Sequence, residues 1–318
     1  MEISFIAFDS FGVKSSCIQL KTKDCCITID PGIAFETNSF PLTLTEKAVL
    51  DLKYRRAIKK ACKESDIIVI THYHYDHHIP EASLYKNKIL LIKDPEKNIN
   101  RSQKARALYF LSIVKNNVEI KITDSQTFKF GKTIIKFSKP LWHGVRGTKL
   151  GKVLMVTVEE KRKSRIRKVL YSSDIDGPYI REYADLIIKE NPDILILDGH
   201  PTYLLGYLAS FALLKKVLLN TIKILEKTNC KLYILDHHLL RDYRYKELYY
   251  EVYKRASQLG KRVMTAAEFL GKEPAVIAGY KKHGPTKWKN WQSLTFEQLN
   301  KIIAHAEKIK RKNKKKKK

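Results

Sequence analysis

The sequence is poor in the features that mark secreted, disulfide-bonded or membrane-spanning proteins. Its five cysteines are odd in number and form no CxxC pair, which argues against a disulfide framework or a cysteine-based zinc site. The longest apolar stretch, 203–219, is interrupted by lysines and a glycine, so no run approaches the roughly 20 apolar residues of a membrane span. The N-terminus lacks the basic start and apolar block of a signal peptide. We therefore expect a cytoplasmic protein with reduced thiols and no membrane partner.

Acidic residues are also scarce relative to basic ones. The 318-residue chain has 61 lysines and arginines against 33 aspartates and glutamates, a net charge of +28. The tail, 310–318, holds only eight of these positive charges, so most of the excess belongs to the body of the chain. Such a charge favours a small anionic substrate or nucleic acid as partner, but lysine-rich composition is equally typical of hyperthermophiles.

The order of apolar runs predicts an α/β protein with two sheets. Several strand-like segments are followed by helix-like and strand-like ones, and this pattern occurs twice. Because each sheet must cover its apolar faces, two stacked sheets with helices outside them satisfy the pattern. We expect one domain over residues 1–271, followed by a short basic C-terminal extension, 272–318. Within the extension, Thr295 and Gln298 fit a capping box that begins a last helix before the lysine-rich tail.

Four histidines and one aspartate lie within seven positions after a predicted buried strand. An apolar run is followed by Thr-His-Tyr-His-Tyr-Asp-His-His at 71–78. Because a strand alternates its side chains, His72 and His74 point to the same face and can bind one metal ion together. Asp76 and His77 follow where the strand ends and can reach a second ion. A histidine-rich tract can also be a solvated loop, but sites in layered α/β proteins form at such strand ends.

Three later positions with metal-binding side chains also follow predicted strands: His143, Asp174 and the tandem pair His237 and His238. Each alone is weak evidence, since a lone histidine is more often a hydrogen-bonded loop residue. Together with the first cluster they supply enough histidine nitrogen and carboxylate oxygen for two coordination spheres.

The Thr-His-x-His-x-Asp-His signature, followed by a later His, Asp and His in that order, resembles the metallo-β-lactamase superfamily. More closely, the chain is similar to an archaeal family of predicted hydrolases within that superfamily. Its segments 12–17, 30–32, 172–178 and 235–242 resemble the recurring segments of that family. The resemblance covers about residues 1–270, and its motif is specific to the superfamily rather than to one reaction.

The resemblance implies a four-layer αββα sandwich with a site for two divalent metal ions at one edge of its sheets. It implies that three histidines hold the first ion: His72, His74 and His143. It implies that the second ion is held by Asp76, His77 and His237, and that Asp174 bridges the two. The last ligand is open between His237 and His238, and we prefer His237 because it follows the strand directly. His74 stands where the oxygen-reducing di-iron members carry a glutamate, which favours zinc and hydrolysis, with manganese or iron as alternatives.

This ligand set predicts a binuclear metal-dependent hydrolase. Two ions about 3.5–4 Å apart bridge a water and lower its pKa toward neutrality, so that a hydroxide can attack carbon or phosphorus. Asp76 can orient that hydroxide or accept its proton besides binding metal. Four further residues close in sequence to predicted ligands or strand ends are candidate substrate contacts: Arg146, His200, His238 and Arg241.

Three functions remain open for this constellation. The basic composition favours a phosphodiester or other anionic substrate. Asp174 and His237 are only 63 residues apart, which leaves no room for the inserted domain of the RNA-processing nucleases with this fold. The same motif suits a thioester or lactone hydrolase. The third possibility is a nucleic-acid-binding protein without turnover, in which Trp288 and Trp291 stack bases, although we expect these tryptophans to pin the extension to the domain.

Overall fold

The first part of the chain forms a mixed six-stranded sheet. The computed structural model describes residues 1–116, 118–162, 165–284 and 292–315. Antiparallel strands come first: β1 (Glu2–Phe8), β2 (Ser16–Lys21) and β3 (Cys26–Ile29). Helix α1 (Leu44–Glu64) leads to β4 (Ile67–Ile70) and β5 (Ile89–Ile92), and α2 (Arg101–Val114) leads to β6 (Glu119–Ile122). The strands β3 to β6 are parallel to one another and stand in chain order.

The second part of the chain forms a seven-stranded sheet beside a small hairpin. The antiparallel strands are β7 (Thr127–Phe130), β8 (Thr133–Phe137) and, after the hairpin of β9 (Leu141–Trp142) and β10 (Lys152–Val153), β11 (Val156–Arg162). The parallel strands are β12 (Arg165–Tyr171), β13 (Ile194–Asp198), β14 (Leu232–Asp236) and β15 (Arg262–Met264). The connecting helices are α3 (Arg181–Glu190), α4 (Phe211–Lys227), α5 (Tyr245–Leu248), α6 (Tyr250–Gln258) and α7 (Ala266–Phe269).

Three buried clusters separate four layers. Outside the first sheet, α1 and α2 pack on alternate residues of β4 and β5, and the cluster includes Ile58, Ile68, Leu90 and Phe110. The second cluster lies between the two sheets. It contains the inward-facing residues of both sheets, including Val69, Leu91, Val156 and Ile196. Outside the second sheet, α3, α4 and α6 cover residues such as Leu195 and Leu235. Burial of both faces explains the fully apolar strand sequences. The predicted four-layer αββα sandwich is confirmed.

Two helices follow in the predicted extension, α8 (Ala275–His283) and α9 (Phe296–Lys315). Val276 and Leu299 are fully buried in the same cluster as α4 and α6. The capping box is present, because Gln298 N donates to Thr295 Oγ1 at 3.2 Å and Thr295 N donates to Gln298 Oε1 at 2.8 Å. The tryptophans Trp288 and Trp291 lie outside the described residues. No helix in the described part of the chain is both long and apolar enough to cross a membrane.

Candidate metal centre

The first group of possible ligands forms where β4 ends. His72, His74, His143 and Asp174 each present an atom within 4.8 Å of the others. His72 Nε2 lies 3.1 Å from His74 Nδ1 and 3.5 Å from Asp174 Oδ2. His143, which follows β9, brings its Nε2 to 3.4 Å from the same carboxylate oxygen. The structure thus brings together the four side chains predicted around the first ion.

The second group lies on the other side of Asp174. Asp76, His77 and His237 also present atoms within 4.8 Å of one another. Asp174 Oδ2 is 3.0 Å from His77 Nε2, and Asp174 Oδ1 is 3.3 Å from His237 Nε2. Asp174, which follows β12, therefore touches histidines of both groups, as a bridging ligand must.

The two tandem histidines after β14 turn to different partners. The His237 Nδ1 donates to Asp9 Oδ2 at 2.6 Å, which turns its Nε2 toward Asp174. The His238 Nδ1 instead lies 3.0 Å from Asp198 Oδ1. His238 still belongs to alternative groups with Asp174 or with His143 and Asp176. In this geometry His237, and not His238, faces Asp76.

Carboxylates behind the histidines fix which ring nitrogen faces the centre. The His77 Nδ1 donates to Asp30 Oδ2 at 2.8 Å, as His237 donates to Asp9. His143 Nδ1 lies 3.4 Å from Asp176 Oδ2. Such outer partners set the tautomer and ring orientation of metal-binding histidines. The sequence reasoning did not assign these aspartates to the site, although each follows a strand as the ligands themselves do.

The backbone around the centre is unusually strained. Four non-glycine residues adopt left-handed conformations there, with φ of +51° at Asp30, +53° at Ser173, +54° at Asp176 and +61° at His237. Each such residue costs on the order of 1–3 kcal/mol, and strain of this kind concentrates at functional sites. Buried hydrogen bonds to His77 and Asp9 hold two of these residues, Asp30 and His237, in place.

Close backbone packing places the Asp30 turn against the histidine motif. A Cβ atom added at Gly32 would lie 2.1 Å from His77 N and 2.2 Å from His78 N. Ser15 Oγ donates to Gly32 O at 2.6 Å and holds the turn from its other side. Only glycine permits this approach, and the approach brings Asp30 within reach of His77.

The ionisation of the buried groups reflects their crowding. Burial, with His77 nearby, lowers the pKa of His72 to about 4. Burial also acts to lower the pKa of His77, but the carboxylates of Asp174 and Asp30 outweigh it and raise that pKa to about 10. Burial acts to raise the pKa of Asp174, yet the facing imidazoles hold it well below its usual range. The centre therefore concentrates negative charge that protons or metal cations can neutralise.

The donor set fits metal ions. Among the described residues, His77 Nε2 and Asp174 Oδ1 are buried and make no hydrogen bond, although both face the centre. The 3.0 Å approach of His77 Nε2 to Asp174 lacks hydrogen-bond alignment. Buried polar atoms without partners are rare in proteins, and histidine nitrogen with carboxylate oxygen is the ligand set of zinc and related ions.

The predicted substrate contacts lie at different distances from this centre. Arg241 is nearly buried, donates from Nε to Asp9 Oδ1 at 2.6 Å, and brings Nη2 to 3.7 Å from Asp76 Oδ2. His200 is buried, with Nδ1 3.2 Å from Asp176 O. Arg146 is 65% exposed and pairs with Glu182. The structure thus brings Arg241 to the candidate metal ligands and leaves Arg146 at the surface.

Proteins from several archaea are similar to this chain over most of its length. The UPF0282 protein of Methanopyrus kandleri is 35% identical over 296 residues, which cover 88% of this chain and 98% of the relative. That of Pyrococcus horikoshii is 40% identical over 300 residues, 89% of this chain and 92% of the relative. That of Methanocaldococcus jannaschii is 39% identical over 296 residues, 89% and 96% of the two chains. No protein-family model matches the chain.

Solved structures with similar folds share little sequence with it. The di-iron β-hydroxylase CmlA of Streptomyces venezuelae has a TM-score of 0.46 and 12% identity, covering 83% of this chain and 52% of that protein. A diphosphatase of the PhnP family has a TM-score of 0.37 and 18% identity, covering 70% and 72%. The subclass B3 metallo-β-lactamase MEM-A1 has a TM-score of 0.35 and 12% identity, covering 92% and 90%.

Proposed function

The chain belongs to the UPF0282 family, and on the geometry of its candidate metal centre we propose that it is a metal-dependent hydrolase. The observation that carries the proposal is the position of Asp174 between two groups of histidines. One of its carboxylate oxygens faces His77 Nε2 and the other faces His237 Nε2. All three side chains are buried. A structural aspartate at a strand end needs one or two donors, not a surrounding set of imidazoles.

Each ion would have three ligands besides the shared Asp174. His72, His74 and His143 would hold one, and Asp76, His77 and His237 would hold the other. The ligand types favour zinc, with manganese or iron as alternatives. When bound, two such ions supply an activated water and stabilise negative charge on the attacked group.

The protein's own side chains would orient both ions' ligands and the reactants. Asp9 and Asp30 hold the Nδ1 protons of His237 and His77, so that each Nε2 faces inward and would offer its lone pair to an ion that displaces its proton. Asp76 is the catalytic residue of the proposal. Its side chain is 16% exposed, against 1% for Asp174, so it can accept a hydrogen bond from the attacking water and hold that water toward the substrate.

A phosphodiester or another anionic group is the proposed substrate. Arg241 supports this choice, because its nearly buried guanidinium lies 3.7 Å from the partly exposed carboxylate of Asp76. His200 and His238 would border the substrate near the Asp176 side, while the exposed Arg146 would meet only a longer substrate. The net charge of +28 would also raise the local concentration of anions.

The test compares two substrate classes on metal-loaded protein. We expect two metal ions per chain by elemental analysis and cleavage of bis(p-nitrophenyl) phosphate. His72→Ala should abolish that cleavage and reduce the metal content. His305→Ala, which changes an exposed histidine on α9, is the matched control and should change neither.

The other results have definite meanings. Cleavage of thioesters or lactones alone would replace the phosphodiester proposal by a carbonyl hydrolase on the same centre. Binding of nucleic acid without turnover of either class would favour a nucleic-acid-binding protein on this fold over a hydrolase. Full activity in His72→Ala would refute the assigned site.

A further inference from the structure

A cationic groove lies at the far end of the second sheet. It encloses about 920 Å³, and cationic side chains reach it from separate segments of the chain. The cationic groove is defined by these side chains of its lining: Arg162, Arg167, Lys168, Lys231 and Arg262. They come from the hairpin of β11 and β12 and from the starts of β14 and β15, segments that only the parallel sheet brings together.

Much of the positive charge in the groove is uncompensated. The carboxylates in its lining are Glu159 and Asp193. Glu159 already pairs with Lys168 at 3.0 Å and with Lys136 at 2.7 Å. Asp193 accepts from the backbone N of Lys168 at 2.8 Å and has a further partner.

Among the described residues, three cations remain without a carboxylate partner: Arg167, Lys231 and Arg262. Within the described part of the chain, none of them forms an ion pair. Like charges gathered without counter-charges repel one another and disfavour the folded state. An anionic partner that spans the groove would relieve this repulsion.

The groove is separate from the candidate metal centre. The parallel strands β12 to β14 begin at the groove and end at Tyr171, Asp198 and Asp236, beside the metal centre. A strand of five to seven residues spans about 17–23 Å at roughly 3.3 Å per residue. The residues of the groove therefore do not touch the candidate metal ligands, and the groove needs no hydrolytic activity to function.

The lining indicates which part of a ligand is recognised. Arginine is well suited to phosphate, because its guanidinium offers paired donors in a fixed plane. The described lining contains no aromatic side chain, so it offers no platform on which bases could stack. Contacts of this kind read the phosphate backbone and not the base sequence. These features fit a nucleic-acid duplex, whose bases are already stacked inside it.

We propose that the cationic groove binds the phosphate backbone of a nucleic-acid duplex, without sequence preference. The test uses the full-length protein and a fluorescent RNA duplex of about 20 base pairs, with anisotropy measured over a series of KCl concentrations. The variant Arg167→Gln/Lys231→Gln/Arg262→Gln removes the three unpaired charges. Affinity should fall about ten-fold or more, and the slope of log affinity against log salt should decrease by about 2–3, because each phosphate contact contributes about 0.9.

The control variant removes the same charge from another surface. Arg101→Gln/Lys104→Gln/Lys115→Gln changes exposed cations on and beside α2, over the opposite sheet. It should leave the salt slope unchanged. Equal losses in the two variants would overturn the groove as the site, and so would wild-type protein that binds no duplex at about 0.1 M salt.

Two further readouts separate this proposal from its alternatives. Metal content and cleavage of bis(p-nitrophenyl) phosphate should not change in the groove variant, so failure of the hydrolase proposal does not affect the result. Inorganic polyphosphate is added as a competitor of matched charge. Polyphosphate that binds more tightly than the duplex would overturn nucleic acid as the ligand.

Discussion

Replacing Asp30 by asparagine should weaken metal binding strongly, although the two side chains have nearly the same size and shape. Asp30 is fully buried at the end of β3 and accepts hydrogen bonds from four donors. Its Oδ1 accepts from Thr71 N at 2.8 Å. Its Oδ2 accepts from Thr71 Oγ1 at 2.6 Å, from His77 Nδ1 at 2.8 Å and from Tyr171 Oη at 3.0 Å.

Asparagine can preserve the first of these bonds but not the other three. If the side-chain oxygen of the asparagine faces Thr71 N, its NH₂ group takes the place of Oδ2. That group is itself a donor, so it cannot accept the three hydrogen bonds that Oδ2 now accepts. His77 would then lose the acceptor that keeps the proton on Nδ1, and the tautomer protonated on Nε2 cannot bind metal. Loss of such a partner costs about 10- to 100-fold in metal affinity.

The same change should lower the stability of the metal-free protein. Each hydrogen bond to a charged acceptor contributes about 1.5–3 kcal/mol, and a buried donor left without a partner costs more than the bond itself is worth. Part of the lost stability can be regained, because the hydroxyl groups of Tyr171 and Thr71 can turn and accept a hydrogen bond from the new amide. The Thr71 hydroxyl can also donate to Ser173 Oγ, which lies 2.6 Å away. We therefore expect a loss of about 3 kcal/mol in the free energy of unfolding.

Titration with zinc and a competing chelator measures the affinity, and chemical denaturation of the chelated protein measures the stability. Asp66→Asn is the matched control, since Asp66 is exposed at the opposite end of β4 and accepts from Cys26 N at 2.8 Å. If Asp30→Asn binds zinc as tightly as Asp66→Asn, the orienting role of Asp30 is wrong. A loss of stability without a loss of zinc affinity would assign Asp30 a purely structural role.

Three further predictions concern other parts of the molecule. Gly32→Ala should reduce both the metal content and the melting temperature, because its Cβ would lie 2.1 Å from His77 N; unchanged metal content on elemental analysis would contradict this. Burial and the nearby Asp9 raise the pKa of Glu36 to about 8, above its usual value of 4.5. The stability that the neutral carboxyl group provides is therefore complete below about pH 4.5 and is lost as the pH rises through 8. Glu36→Gln should therefore raise the melting temperature relative to wild type more at pH 8 than at pH 5, and an equal effect at the two pH values would refute it. Deletion of 310–318 should weaken binding of nucleic acid and reduce its salt slope; if neither changes in the anisotropy assay, the tail is not a binding element.

Two sheets covered by helices were predictable because the signals for them are local, while the αββα order of the layers was what the family resemblance implied. Strands buried on both faces have uninterrupted apolar sequences, as in β4 and β13, and the alternation of strand and helix restricts the ways in which they can stack. The sequence also placed His72 and His74 together, but for a reason that the structure corrects. Strand β4 ends at Ile70, so the two histidines lie in the loop after the strand, and the conformation of that loop, not strand alternation, brings their rings together.

The partners of the histidines were not predictable in the same way. Asp9 meets His237 across 228 positions of sequence, and Asp30 meets His77 across 47. A single aspartate at a strand end has no feature that separates an orienting role from a turn. Only the stacking of the two sheets brings these side chains to one edge.

The sequence by itself determined the fold class and the side chains available for metal binding, since the first follows from the apolar patterns of strands and helices and the second from the residue types that come after strand ends. The tertiary structure decided how those side chains are used. The left-handed turn at His237 directs that ring, and not His238, toward Asp76. Packing buries Arg241 beside the centre and leaves Arg146 at the surface. The physical reason is that orientation and burial depend on contacts between segments distant in sequence, which no local pattern encodes.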